Sequence, residues 1–390
     1  MTTTMLFDSQ YFTDPHPVHA RLREAGPAHL VTTPDGKPAW IVTGEADVRR
    51  LLADPRLSVN KRHGNQGYAG FSLPPALDAN LLNIDAEDHS RLRRLVAKVF
   101  TARRVEDMRA RVQQIADELV DRLDGPEVDL AVAYADPLPL TVVGDLLGVP
   151  EADRRPFSAW TTAMLSPAYP AQVAESVVNI HRFLVDLVAA RRAEPGTDLL
   201  SALITARDED DRLSEDELVS LAFLLLFAGA ENSAHLISTG VLELLRRPAL
   251  LAELRAGQVE LPAVVEELLR LEHANQFAIR RFPLEDLRIG EVTIPAGDTV
   301  LLDLASANRD PNRFERPEEL DPARADKAHL AFGHGPHFCL GAALARMEGQ
   351  IGIGTLLRRL PDLALAVPVA ELRWRPSFRS HSLAALPVRI

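Results

Sequence analysis

The spacing of apolar residues changes twice along the chain. Near the start, His29-Leu-Val-Thr-Thr33 and Pro38-Ala-Trp-Ile-Val-Thr-Gly44 have the content of strands. Pro34-Asp35-Gly36-Lys37 between them is a turn signal, so residues 29–44 read as a hairpin. A short helix follows from Glu45 to about Asp54. Residues 61–83 are rich in Gly, Pro and Asn without any period, and a loop of that length is usually functional or mobile. Helical spacing then dominates from Asp88 to about Leu271, with breaks at Gly125, Pro137, Pro150, Pro167, Pro170 and Pro195. Ser214-Glu-Asp-Glu217 is a capping box, and the apolar pattern it opens runs through Leu245 until Pro248 stops it. A helix that long is expected to cross the molecule. After Leu271 come the strand-like runs Leu287-Arg-Ile-Gly290, Val292-Thr-Ile-Pro295 and Thr299-Val-Leu-Leu-Asp-Leu-Ala305, with a Pro-Ala-Gly turn among them. A helix resumes after Cys339, and strand-like pieces close the chain. With no repeat, low-complexity tract or linker, the pattern predicts one large domain over residues 1–390, mainly α with a smaller β-rich region.

Composition narrows the function classes. The 390 residues are 46% apolar, ample for a large core, and 43 basic against 55 acidic side chains leave a charge of −12. That sign disfavours nucleic acid or an anionic membrane as the main partner. A single cysteine excludes internal disulfides and any multi-thiolate metal site within the chain. Four lysines against thirty-nine arginines, with abundant Ala and Leu, point to a GC-rich bacterial genome. No Lys or Arg precedes Arg21 and no long apolar run stands near the N-terminus, so it does not read as a secretory signal. Leu221–Ala230, the most apolar stretch, ends at Glu231, short of the ~20 residues a membrane span requires. A soluble, cytoplasmic protein with no membrane partner is expected.

The richest stretch for chemistry is Phe332-Gly-His-Gly-Pro-His-Phe-Cys-Leu-Gly341, after which a helix begins. Glycines and a proline hold the loop tightly, and a helix N-terminus favours a thiolate. A buried structural cysteine is the bland alternative. A nucleophilic Cys339 with His337 or His334 is another, although a loop wrapped around the thiol leaves little room for an acyl substrate. Phosphate-loop readings fail: the third glycine position after Gly333 and Gly335 is Phe338, and no Gly-Lys-Ser/Thr follows.

Phe332, Gly335, Cys339 and Gly341 stand at the spacings of the haem-binding signature of the cytochrome P-450 superfamily, which this sequence resembles. The resemblance implies the P-450 fold, a haem b (iron protoporphyrin IX) with Cys339 as proximal iron ligand, and dioxygen as co-substrate. Other landmarks follow in the family's order. Glu267-Leu-Leu-Arg270 matches its Glu-x-x-Arg pair, which as a bare helical pair would be worth only ~0.2–0.5 kcal/mol; the resemblance implies a buried brace. Its third partner is open between Arg324 and Arg316. His89 and Arg93 match the helix that grips the haem propionates, and Arg281 and His337 complete the implied propionate set. His89 and Arg93 share one face of that helix, with Arg91, Arg94 and Lys98 on the other. Each also reads acceptably as solvated surface.

In the middle of the long helix stands Ala228-Gly229-Ala230-Glu231-Asn232-Ser233. A mid-helix glycine costs about 1 kcal/mol relative to alanine. Close packing is one compensation. The resemblance implies another, a local opening where dioxygen and water bind, with Gly229, Glu231, Asn232 and Ser233 as the catalytic group. Threonine is usual in the family where Asn232 stands. An amide is a poor proton shuttle, and Ser233 is rotated by about 100°. The resemblance also implies substrate-facing regions at residues 61–83, 160–182, Asn275–Ile279 and Phe378–His381, each of which also reads as ordinary loop or core. The sequence is thus identified as resembling a bacterial haem-thiolate monooxygenase that hydroxylates a small natural-product intermediate, with electrons from an iron–sulfur ferredoxin and its reductase. Alternatives are oxidative coupling of an aromatic or peptide-derived substrate, a non-catalytic haem-binding recruitment module, and a non-haem cysteine hydrolase.

Overall fold

The computed structural model describes residues 6–390 except 66, 71–72, 166–168, 170 and 211–212. The helix breaks expected at Pro167 and Pro170 lie outside the described residues, as does part of the 61–83 loop. The chain groups into two compact units. One, sheet-bearing, comprises Met1–Ser72, Thr239–Cys339 and Pro368–Ala385; the other, helical, comprises Leu73–Ser238, Leu340–Val367 and Leu386–Ile390.

In the sheet-bearing unit the hairpin forms as its alternation predicts. Strands Ala28–Thr32 and Pro38–Val42 pair antiparallel around the Asp35-Gly36 turn, where Gly36 takes φ +75°. The sheet's third strand, Val300–Leu302, runs parallel to Pro38–Val42, in register Trp40↔Val300, Ile41↔Leu301 and Val42↔Leu302. Because side chains alternate faces, Val42, Val300 and Leu302 join one core with Val48, Leu51 and Leu287, while Ile41 and Leu301 join another with Tyr11, Tyr68 and Phe277. The run through Ala305 does not stay extended. Asp303 caps a short helix, Leu304–Ala307, by accepting from the Ser306 N–H, so the strand ends at Leu302.

The helical unit is built mainly from Arg109–Asp121, Pro137–Leu147, Glu151–Leu165, Gln172–Ala193, most of Glu215–Leu245 and Ala342–Arg359. The capping box is present: Ser214 N–H donates to Glu217, and Glu217 N–H donates to Ser214 Oγ at 3.1 Å. The long helix ends at Leu245 as expected, and Pro137 and Pro248 each open the helix that follows the break, since N1 needs no amide hydrogen. Two pieces of the helical and loop readings are different in the structure. Glu127–Asp129, inside the stretch read as helical, is a strand paired with Pro387–Arg389. Residues 61–83 contain short helical turns at Lys61–His63 and Pro75–Asp78. Among the described residues Glu215–Leu245 is the one unbroken helix long and apolar enough to cross a membrane, and 61% of its most apolar window is buried within the protein, as befits a core helix.

Candidate functional site

The sheet-bearing unit carries the Cys339 loop. Gly333 and Gly335 both adopt φ +72°, and a Cβ at Gly335 would meet Ala53 at 2.9 Å. Gly335–His337 forms a 3₁₀ turn, Phe338 N–H donates to Gly335 O, and Cys339 N–H donates to Phe332 O at 2.9 Å. Phe332 and Cys339 are therefore brought together, with the Phe332 and Phe338 rings 6.3 Å apart. The thiol is exposed rather than buried, which removes the structural-cysteine reading. Arg281, in the same unit, is buried at 3% exposure and donates one guanidinium N–H to Ile279 O at 2.7 Å. His337 is half-buried.

This loop is preceded by a buried brace. Glu267 and Arg270, on the helix Leu261–Leu271, have fully buried side chains. Arg270 donates to both Glu267 oxygens at 2.9 and 3.0 Å and to the carbonyls of Asn308, Pro317 and Glu319. Arg324 Nε adds a contact to Glu267 Oε2 at 3.2 Å, and its other nitrogens donate to Glu315 and Arg316 carbonyls. Arg316 itself pairs with Glu319 and Asp321 at the surface, so Arg324 is the third partner. Burial raises the Glu267 carboxyl's pKa, but the hydrogen bond and charge of Arg270, with Arg324 and the Asp321 amide, outweigh it and hold the group ionised.

In the helical unit, His89 and Arg93 lie on the helix Ala86–Val99, four residues apart on one face; His89 is 3% exposed and Arg93 half-buried. On the other face Arg94 and Lys98 are exposed, while Arg91 pairs with Glu217 and Asp88. The long helix is almost wholly buried on either side of its middle, yet Phe227 to Asn232 are all accessible and Ala228 is exposed. Space therefore borders the helix at the Gly229–Asn232 motif. Gly229 also has a packing role: a Cβ there would meet Val143 Cγ2, on Pro137–Leu147, at 2.9 Å. The helix remains continuous through it. Glu231 and Asn232 are half-buried, and Asn232 Nδ2 lies 3.5 Å from Ala228 O, too far for a strong bond. Ser233 is buried. Gly341 caps Ala342–Arg359.

One residue escaped the sequence reading. Glu348, on Ala342–Arg359, is 1% exposed, and neither carboxyl oxygen has a hydrogen-bond partner of good geometry among the described residues. Burial pushes its pKa up to about 8, and Ser233 only partly opposes the rise. The signal was present: Glu348 shares a helical face with Leu344 and Ile351, an acid in an apolar stripe.

The family model for Cytochrome P450 matches residues 155–361, more than half the chain. Cytochrome P450 monooxygenase PikC of Streptomyces venezuelae is 46% identical over 96% of this chain and 91% of its own length. The chain belongs to the cytochrome P450 family. 6-Deoxyerythronolide B hydroxylase of Saccharopolyspora erythraea is 41% identical to this P450 over the full length of both. The tirandamycin C-bound P450 monooxygenase TamI superposes with a TM-score of 0.91 at 44% identity, covering 98% of each chain. The fold is thus that of a P450, and the protein is a P450 monooxygenase, a class that carries haem and uses dioxygen. The donor set fits that group: an exposed thiol for the iron, and arginine and histidine side chains for two carboxylates.

Two outcomes follow from this geometry. Arg324→Ala leaves buried charge on Glu267 less compensated and should cost about 3 kcal/mol of stability, whereas Arg316→Ala should cost under about 0.5 kcal/mol. Denaturant unfolding decides between them. Glu348 is ionised in the unfolded chain above its ordinary 4.5 but stays protonated in the fold up to about 8. Wild-type stability should therefore fall by about 1.4 kcal/mol per pH unit between those values relative to Glu348→Gln. Parallel pH profiles for the two proteins would refute the shift.

Proposed function

We propose that this P450 is a cytoplasmic enzyme, with residues 1–390 acting as one catalytic domain, that hydroxylates a small organic natural-product intermediate. The observation that carries the reading is the exposed Cys339 on its glycine-held loop, in a chain similar to 6-deoxyerythronolide B hydroxylase and to a P450 monooxygenase with tirandamycin C bound. Bound here, haem b supplies dioxygen activation and two-electron chemistry that no side chain offers. Cys339 would hold its iron through the thiolate sulfur, with Phe332, Gly335 and Gly341 shaping the loop. His89, Arg93, Arg281 and His337 would neutralise its carboxylates. Gly229 lets the long helix approach Val143, and the accessible face beside Glu231 and Asn232 is where the substrate and its water would sit. Ser233, buried one position further on, would act by supporting that face rather than by contact. Electrons would come from an iron–sulfur ferredoxin and its reductase.

The reduced carbon monoxide complex should show the strongly red-shifted Soret band of thiolate-ligated haem, and Cys339→Ser should lose it. A wild-type spectrum of the histidine-ligated type sinks the assignment.

Between Arg91 and Arg104 the chain carries six basic residues and no acid, against a net charge of −12. Of the three on the outer face of the helix Ala86–Val99, Arg91 is paired to Glu217, so the exposed Arg94 and Lys98 would do most to steer an acidic ferredoxin. Neutralising Arg94 and Lys98 should slow reduction and flatten its salt dependence, with Arg91 adding less. Unchanged stopped-flow reduction with several acidic ferredoxins would refute the docking role.

A positioned proton donor typically contributes about 10²–10⁴-fold to a rate. Where the family pattern has threonine this chain has Asn232, so a polar group of the true substrate, with water held by Asn232 and Glu231, would complete proton delivery. Asn232→Ala should then lower coupling only modestly, while substrate analogues without that group should uncouple strongly. Equal coupling with and without the group counts against the relay. A product joined by a new carbon–carbon or carbon–heteroatom bond would favour oxidative coupling over hydroxylation.

A further inference from the structure

Three segments of the sheet-bearing unit bring metal-binding side chains together. His16 is the first residue of the helix His16–Ala25, Glu272 follows the helix Leu261–Leu271, and His381 stands in the C-terminal loop. One ligating atom of each lies within 4.8 Å of the other two. His16 Nε2 is 3.7 Å from Glu272 Oε2, close to the ~3.4 Å that separates two ligands on a tetrahedral zinc with bonds of ~2.0–2.1 Å. We propose that His16, Glu272 and His381 form a site for a zinc-class divalent transition metal.

The contacts of the two imidazoles bear on the site. His16 Nε2 lies 3.2 Å from Nη2 of Arg309. A guanidinium can only donate, so Nε2 presents its one lone pair to Arg309, and a metal must displace that contact to bind there. His381 Nε2 is 3.1 Å from Thr13 O, and a proton donated there leaves the lone pair on Nδ1. A backbone carbonyl on the far nitrogen is the usual outer contact of a ligating imidazole. The His381 ring is also fixed by stacking on Trp374, 3.8 Å away at 11°. His16 is 21% exposed, which provides an entry path. Two imidazoles and one carboxylate suit zinc, nickel or copper rather than magnesium or calcium.

Arg309 is the competitor. Its Nη2 donates to Glu272 Oε1 at 2.7 Å, while Nη1 pairs with Glu318. A metal must take both Glu272 and His16 Nε2 from it, and Glu318 is the partner that Arg309 keeps. Bound metal would tie the start of His16–Ala25, the end of Leu261–Leu271 and the C-terminal loop together, and so stabilise the folded unit.

The test is calorimetric titration of the chelator-treated haem enzyme with zinc chloride, with the Soret band checking each variant's fold. One equivalent should bind with a dissociation constant below about 100 µM, and His16→Gln and His381→Gln should each weaken it about 10–100-fold. Glu318→Gln, at an exposed position that will not compromise folding, should weaken binding several-fold by holding Arg309 on Glu272. His181→Gln, on the distant-in-sequence helix Gln172–Ala193, should change nothing. The proposal is overturned if no saturable binding is seen below that limit, or if the affinity is the same in both histidine variants and in Glu318→Gln.

Discussion

A guanidinium buried to zero exposure must satisfy every hydrogen it carries, and Arg270 shows what that demands of the surrounding chain. Its five N–H donors meet five acceptors: the two oxygens of Glu267 and the carbonyls of Asn308, Pro317 and Glu319. Three of those acceptors are backbone, so residues 308–319 must fold around one side chain although they hold no regular secondary structure. Glu267 extends the same accounting to the Asp321 amide and Arg324. Asn308 then accepts from the Leu330 N–H at 2.7 Å, two residues before Phe332. An irregular segment is thereby fixed up to the loop that ends at Cys339.

That dependence explains which features could be read from the sequence. The hairpin, the capping box and the Glu267–Arg270 pair are local, each written in a few consecutive residues, and each formed as expected. Arg324 could not be chosen over Arg316 by spacing, because the choice rests on which guanidinium reaches a buried carboxylate 57 residues earlier in the chain. Glu127–Asp129 was hidden for a similar reason. Three residues carry no period of their own, and their partner strand, Pro387–Arg389, lies at the far end of the sequence. The parallel strand Val300–Leu302 likewise carries no local sign of its partner, Pro38–Val42, far earlier in the chain.

Glu348 shows a different limit. Its position in an apolar stripe is visible in the sequence, but the consequence depends on burial. An acid on a solvated helix face titrates near its ordinary value, whereas burial pushes this one up to about 8. The Ser233 hydroxyl that partly opposes the shift is on the long helix, one residue after Asn232. A single turn of that helix thus presents two half-buried polar groups, Glu231 and Asn232, and a buried hydroxyl that bears on the titration of Glu348.

Gly229 settles how that turn is presented. A glycine in a helix can mark an opening of the hydrogen-bond ladder or a close approach by a neighbour, and the two have different consequences for the residues beside it. The helix is continuous from Glu215 to Leu245, and Val143 occupies the space a Cβ would need. The accessible stretch from Phe227 to Asn232 is therefore a property of what borders the helix rather than of a break within it. A rigid helix fixes Glu231 and Asn232 by rotation and rise, so their placement is set by the packing of Gly229 one turn earlier. Enlarging the residue at 229 would shift both polar groups together, whereas a change at 232 alters the chemistry and leaves its position intact.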